Sequence, residues 1–453
     1  MNLESAAAAL SRREFVRSAG AGAAGLAALG IAAPSVLGAI SGAGYHSRGA
    51  DTIKVGLIGC GGRGSGAAVQ ALAADPGVVL WSMGDVFKDR LDGALGYLST
   101  PSDDMPKEQA ERVKVEDRKF TGFDCYKQVI DSGVDVVLLC SYPCFRPQHL
   151  KYAIEKGKHV FAEKPVAVDA PGIRSVLETA RKAREKNLAC LIGFCWRYNT
   201  TVRDAFKHLH EGVIGDVVSV HTTYHSGTLT RRPRQAGWSD LEFQMRNWWH
   251  FNWISGDHIV EQAVHAIDRL SWAMKDVLPR SVQCLGGRAA RSGPEHGDVF
   301  DHFSAIYDYD HGVRAFHSCR QIDGCPSDNR DYVFGTKGNG IIDGWSGNSP
   351  MQSRDGKVLW DGKGSSADVG KMYYDEHKEL FASIRAGKPI NDCERGANSV
   401  MMAIMARMAA YTGQTVTWDQ AMKSELSLVP ELHSLDQAPP PVEVPIPGKT
   451  KFI

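Results

Sequence analysis

The sequence predicts an α/β protein: an N-terminal Rossmann dinucleotide-binding domain plus a C-terminal α/β domain with an open, largely antiparallel sheet. Three observations predict it. A glycine-rich turn, Gly59-Cys60-Gly61-Gly62-Arg63-Gly64, joins a short apolar run to a small-residue helical pattern. Apolar strand-like runs then alternate with helical segments up to about residue 195. Beyond Asp216 the pattern becomes a series of strands broken by Asp-His-Gly and Gly-Asn-Gly turns. The bulk properties agree. The chain has 453 residues, 52 Lys+Arg against 52 Asp+Glu, and 43% hydrophobic residues. Domains of about 100–200 residues make that two or three. Such hydrophobicity without net charge excludes a disordered chain. A balanced charge excludes nucleic-acid binding by bulk basicity. No uncharged apolar run of about 20 residues follows residue 50, so the body of the chain is not expected to span a membrane.

The elements follow in order. Residues 1–43 read as a twin-arginine export signal. Ser11-Arg12-Arg13-Glu14-Phe15 precedes an uncharged Ala/Gly/Leu run, and Ser41-Gly42-Ala43 offers a small-residue cleavage site. The expected location is therefore the periplasm, with no stable membrane insertion after processing. The ten cysteines contain no C-x-x-C, so no metal site is expected. An oxidising compartment leaves room for one or two disulfides.

Residues 51–195 form the first predicted domain. Ile53–Ile58 is a buried strand, and the glycine turn leads from it into a helix from Ser65 to Ala74. In a G-x-G-x-x-G turn the first glycine (Gly59) permits the bend. The second (Gly61) lets backbone approach a pyrophosphate, and the third (Gly64) lets helix and strand pack closely. Gly62 and Arg63 complete the turn. A second strand, Val78–Met83, ends near Asp85, which is 85 − 64 = 21 positions beyond Gly64. An acid there accepts hydrogen bonds from an adenosine ribose and repels a 2′-phosphate. NAD is therefore expected over NADP, although Lys88 keeps NADP open. Val134–Cys140 lacks alternation, as suits a parallel strand buried on both faces. His149–Lys156 is helical, Lys158–Ala162 a strand, Gly172–Lys186 a long helix and Leu188–Gly193 a strand. Ligands of doubly wound sheets bind at the strands' carboxyl ends. Ser141, Pro143 and Glu163 lie there and, with His149, are expected at the cofactor; Lys164 lies there too.

These residues carry a family resemblance. "VGLIGCGGRG", Asp85 and "HLKYAIEKGKHVFAEKP" resemble the Gfo/Idh/MocA oxidoreductases, and the likeness runs from about residue 51 to 420. It implies a second domain whose open sheet covers the nicotinamide, and a Lys164 lying beside nicotinamide and substrate. A lysine just before Pro165 has a restricted backbone, so its ammonium can be held toward the cleft.

Residues 196–427 form the second predicted domain. Gly256–Met274 reads as one helix with Asp257, Glu261 and His265 at four-residue spacing and Asp268 three further on. The family resemblance implies D-x-x-x-H on this helix, with His265 as acid/base. Glu261 stands where the family has Asp, and is expected to orient His265 or touch substrate. A metal set of Asp257, His258, Glu261 and His265 is disfavoured because His258 falls on another face. Nine of the ten tryptophans lie at or beyond residue 196. Trp249 and its neighbours suit the apolar faces of sugar rings. Arg197, Asp268 and His377 are further substrate-side candidates. The helical segment Tyr374–Ala410 is expected to pack back on the first domain, and the Pro-rich tail 428–453 to form an extended arm able to wrap a partner subunit.

The expected chemistry is hydride transfer between nicotinamide and a secondary alcohol of a sugar, sugar derivative or cyclitol. His265 would take the hydroxyl proton and Lys164 hold the oxygen. An exported enzyme has no free NAD(H) pool, so the cofactor is expected to stay tightly bound. A redox-neutral glycosidase or lyase is the alternative, and a non-catalytic sugar-binding protein the second. The expected assembly is a homo-oligomer.

Overall fold

The computed structural model describes residues 51–451. The export signal predicted over 1–43 lies outside them. Six strands, β1 (Ile53–Ile58), β2 (Val78–Asp85), β3 (Lys119–Thr121), β4 (Val136–Leu139), β5 (His159–Ala162) and β6 (Cys190–Ile192), form the first sheet in the order β3-β2-β1-β4-β5-β6. Every pairing in it is parallel. All four residues of β4 are buried, as its unbroken apolar run required. The order reverses between β1 and β4, which opens a crevice at their carboxyl ends.

Helices cover the faces of this sheet. They include α1 (Gly62–Ala74), α2 (Arg146–Glu155) and α3 (Ala170–Glu185). In α3 the Asp169 side chain accepts from the Gly172 N–H and so caps the helix. Its buried Ile173, Val176, Ala180 and Ala183 follow helical spacing and face the core.

The second sheet has nine strands: β7 (Val217–Ser226), β8 (Ser281–Gly287), β9 (His302–Asp308), β10 (Arg314–Gln321), β11 (Asp331–Gly335), β12 (Gly338–Ile342), β13 (Met351–Ser353), β14 (Val358–Trp360) and β15 (Val416–Thr417). Their order is β14-β13-β12-β11-β7-β10-β9-β8-β15. β7 and β10 run parallel and the other pairs antiparallel. Burial alternates along β10, so one face is packed and the other open.

Helix α4 (Asp240–Arg246) leads toward the two helices that lie where one was expected. Residues 256–274 fold as α5 (His258–Glu261) and α6 (Val264–Ala273). Asp257 has φ 71° and cannot belong to a helix. Its buried carboxylate instead accepts from the His258 and Phe300 N–H groups and the Tyr411 hydroxyl. Local capping therefore overrides the four-residue spacing.

Helix α6 packs on β7, β10 and β11. Helix α7 (Asp368–Arg385) returns to α1, and α8 (Cys393–Thr412) lies between α3 and β8. The predicted return of the C-terminal helices thus takes this form. The tail also folds back on its own chain. The Leu428 N–H donates to Asp169 Oδ2 at 2.9 Å, and the Gly448 N–H to the Thr412 carbonyl at 2.9 Å. Leu428, Val429, Leu432 and Leu435 join Leu241 and Met245 of α4 over Val86, Phe87, Phe123, Tyr142 and Phe145. Those five lie just beyond β2, β3 and β4.

Candidate active site

The glycine turn is shaped by close backbone approach. Gly59 has φ 95°, and a Cβ there would sit 2.4 Å from the carbonyl carbon of Cys140 and the nitrogen of Ser141. A Cβ on Gly64 would sit 1.8 Å from the Gly59 oxygen. Only glycine fits either position. Gly62 has nothing within 4 Å of an added Cβ, and no side chain caps the N-terminus of α1 at Gly61. Open space before uncapped helix N–H groups suits a pyrophosphate.

Asp85 closes the end of β2. Its carboxylate accepts from the Cys60 N–H at 2.6 Å and the Phe87 N–H at 2.8 Å. Burial raises its pKa. A carboxylate offers about four lone-pair sites, so two backbone bonds leave capacity for ribose hydroxyls. The residues present therefore fit a nicotinamide dinucleotide. The Lys88 ammonium is paired with Asp92. At the end of β4, Ser141 Oγ lies 3.0 Å from His149 Nδ1, and Pro143 starts a buried single turn. The His149 ring stacks on Tyr126 with centroids 4.1 Å apart. Burial, then the charge of Arg146, lowers the His149 pKa to about 3, so its imidazole is neutral.

Beyond β5 the chain runs through Glu163, Lys164 and Pro165. The Glu163 carboxylate accepts from Arg63 Nε of the glycine turn. Lys164 Nζ donates to the carbonyl oxygen of Glu261 and lies 3.3 Å from its Oε1. Both side chains are 12% exposed. The structure thus brings Lys164 and Glu261 together, across 97 residues of sequence. His265 follows in the first turn of α6. Its Nδ1 is buried without a partner, and its ring meets Phe194 edge-on at 6.1 Å. Burial, followed by the charges of Lys164, Arg269 and Arg63, holds its pKa well below the ordinary 6.5. It is therefore a neutral base at neutral pH, with the cation Lys164 nearby.

Other candidates stand elsewhere. Arg197 and Asp268 do not reach Lys164. They pair with each other at 2.9 Å in a buried cluster completed by Asp276, Arg395 and Ser399. The spacing was real, but a buried carboxylate takes the nearest guanidinium. His377 is fully buried, with its ring 4.2 Å from that of Phe161 of β5 and neither ring nitrogen hydrogen-bonded. It is therefore not at the substrate side. Trp249 packs on Trp248 at 5.2 Å, and Trp248 meets Tyr142 edge-on at 5.7 Å. That chain of rings joins the tryptophan segment to the loop after β4.

Sequence reading missed Arg146. It is 5% exposed and donates Nη1 to the Pro165 carbonyl at 2.7 Å. A lone arginine at a helix start carries no sequence signal of burial. Among the described residues, no group of three or more His, Cys, Asp or Glu is placed to hold a metal ion. No helix among them is long and apolar enough to cross a membrane.

Residues 53–191 match the family model described as the oxidoreductase family, NAD-binding Rossmann fold, and residues 202–340 that of the GFO/IDH/MocA C-terminal domain. Among curated relatives, inositol 2-dehydrogenase 3 of Saccharopolyspora erythraea is 27% identical over 54% of this chain and 60% of its own. The 2,7-anhydro-N-acetylneuraminate hydratase of Escherichia coli is 26% identical over 37% of this chain and 41% of its own. A glycosyl hydrolase family 109 protein of Streptomyces coelicolor is 26% identical over 38% and 34%. The chain thus spans between a third and three fifths of these relatives. Among solved structures, a levoglucosan dehydrogenase complexed with NADH and levoglucosan superimposes with TM-score 0.62 at 19% identity, covering 81% of this chain and 99% of its own. The scyllo-inositol dehydrogenase of Lactobacillus casei gives 0.61 at 19% identity, over 81% and 98%.

Proposed function

The chain belongs to the Gfo/Idh/MocA oxidoreductase family, and from that premise we propose that it oxidises or reduces a secondary alcohol of a sugar, sugar derivative or cyclitol with NAD as cofactor. The observation that carries this is the pairing of a held ammonium with a neutral imidazole. Lys164 is anchored on Glu261, and its charge is among those that hold the half-buried His265 imidazole neutral. An alcohol oxygen placed between them would give its proton to His265. Lys164 would stabilise the negative charge that develops on that oxygen. Glu261 keeps the ammonium in place through both its backbone and its carboxylate. The Gly59–Gly64 turn and Asp85 would hold pyrophosphate and ribose, and the bound nicotinamide supplies the hydride acceptor.

The export signal at 1–43 is part of the same proposal and carries a consequence: the cofactor is retained between turnovers. The packing of α4 and residues 428–435 beyond β2, β3 and β4 supports retention. Arg246 of α4 makes a two-pronged ion pair with Asp89, at 3.0 Å for each bond. A second reading, redox-neutral elimination or hydrolysis through a transient ketone, is supported by the hydratase and glycosyl hydrolase among the relatives. The test is to denature purified protein and identify the released nucleotide, then screen polyols for reduction of the bound form. NAD in near-stoichiometric amount and polyol-dependent reduction are expected. Absence of any nucleotide would sink retention. A redox-neutral reaction is recognised by solvent deuterium entering the product without net reduction.

The open face of the second sheet supports a homo-oligomer. Leu285, Phe334 and Ile341 are 79%, 45% and 37% exposed on it, and a second copy is the occupant proposed.

A further inference from the structure

The chain on either side of Lys164 is held by an arginine. On the N-terminal side, Glu163 accepts from Arg63 Nε. Arg63 belongs to the glycine turn, and its Nη2 also donates to Gln70 at 2.8 Å. The Tyr373 ring lies 4.9 Å from the guanidinium carbon. Glu376 stands 3.7 Å from Nη2, fully buried, with neither carboxylate oxygen hydrogen-bonded. Burial and the neighbouring Glu163 raise its pKa far above the carboxylate range. A neutral Glu376 leaves the Arg63 charge to Glu163.

On the C-terminal side, Arg146 donates to the Pro165 carbonyl, while its Nε is buried without a partner. No carboxylate lies within 4 Å of Arg146 among the described residues, unlike Arg63; the charges of Glu163 and Glu261 act on it from farther off and only partly offset the cost of burial, which lowers its pKa. A buried cation without a directly paired anion is costly, and one hydrogen bond to a carbonyl, with two carboxylates beyond ion-pair distance, offsets only part of that. Packing alone would be served better by methionine. The charge makes sense if it serves the residue between the two anchored positions.

We propose that Arg63 and Arg146 are positioning residues that clamp Lys164 against Glu261, Arg63 through Glu163 and Arg146 through Pro165. Because Arg63 is part of the glycine turn, the clamp links the pyrophosphate site to the lysine. This rests on the reading of Lys164 as the group that holds the substrate oxygen.

The clamp is testable without a known substrate. The full chain is labelled with trace acetic anhydride, and each lysine's acetylation is read by peptide mass spectrometry. The proteins are wild type, Arg146→Met, Arg146→Lys and Glu163→Gln. In wild type, Lys164 should label far more slowly than Lys88, whose side chain is 76% exposed. In Arg146→Met and Glu163→Gln, Lys164 labelling should rise about fivefold or more as the loop opens locally. Lys88 should not change, and Arg146→Lys should fall between, since it keeps the charge but loses the fork. On any polyol that reduces the wild-type nucleotide, kcat of Arg146→Met should fall about tenfold or more with KM nearly constant. Unchanged Lys164 labelling in folded Arg146→Met and Glu163→Gln overturns the clamp. If no polyol reduces the wild-type nucleotide, the proposed reaction fails, while the labelling still decides the clamp.

Discussion

In the proposed reaction Lys164 and His265 would divide an alcohol oxidation between them by charge. Replacing either with alanine should lower the rate of nicotinamide reduction by about 10²–10⁴-fold while leaving the nucleotide bound, measured by single-turnover absorbance. The pH profile follows from the lowered pKa of His265. Its base form persists below the ordinary titration range, so kcat/KM should be level from pH 8 down to about 6.5 and fall only at more acid pH. A profile that falls already between pH 7.5 and 6.5 contradicts the buried, neutral imidazole. Asp298 supplies a stability prediction of opposite sign. Burial raises its pKa from 3.8 to about 6. The folded state therefore keeps this proton where the unfolded state has lost it. Its contribution is full below about pH 4 and is lost as pH rises through 6. Asp298→Asn should gain about 1–2 kcal/mol relative to wild type between pH 4.5 and 7.5, read from urea midpoints at both values.

At the scale of elements, the strands were readable because burial writes itself into composition. β4 lacks alternation and is buried on both faces, and β10 alternates because only one of its faces is packed. The segment 256–274 was not readable as it stands. Asp257, Glu261 and His265 keep helical spacing, yet Asp257 turns out of the helix to cap α5. No periodicity reports a positive φ. The Asp257 carboxylate, fully buried and held by Phe300 and Tyr411, should be worth more than an ordinary cap. Asp257→Ala should cost about 2–4 kcal/mol in urea denaturation, and Tyr411→Phe about 1–2 kcal/mol. The places of the glycine turn, Asp85 and Lys164 in the fold were legible because each sits at a fixed offset from a strand end. Arg197 and Asp268 were misassigned because a polar residue near a site and one in a buried ion cluster look alike in sequence. Arg146 was invisible for the complementary reason: nothing local marks a guanidinium that reaches a carbonyl 19 positions away.

The whole molecule joins these parts by long returns of the chain. Helix α7 packs on α1, α8 bridges the two sheets, and the tail crosses the segment that carries α4. The Arg246–Asp89 pair ties α4 to the first domain beside the site assigned to adenosine. If this closure retains the cofactor, Arg246→Ala should speed exchange of bound nucleotide for labelled NAD by about tenfold, and a charge swap, Arg246→Asp with Asp89→Arg, should restore part of the difference. In the proposed reaction a bound nicotinamide takes hydride from a polyol whose oxygen Lys164 and His265 hold. Its most direct test is rapid mixing of nucleotide-loaded protein with polyols while reduced nicotinamide is followed by absorbance. A burst equal to the bound nucleotide is expected in wild type and none in Lys164→Ala or His265→Ala with nucleotide still bound. Bursts of equal rate in all three proteins would contradict it.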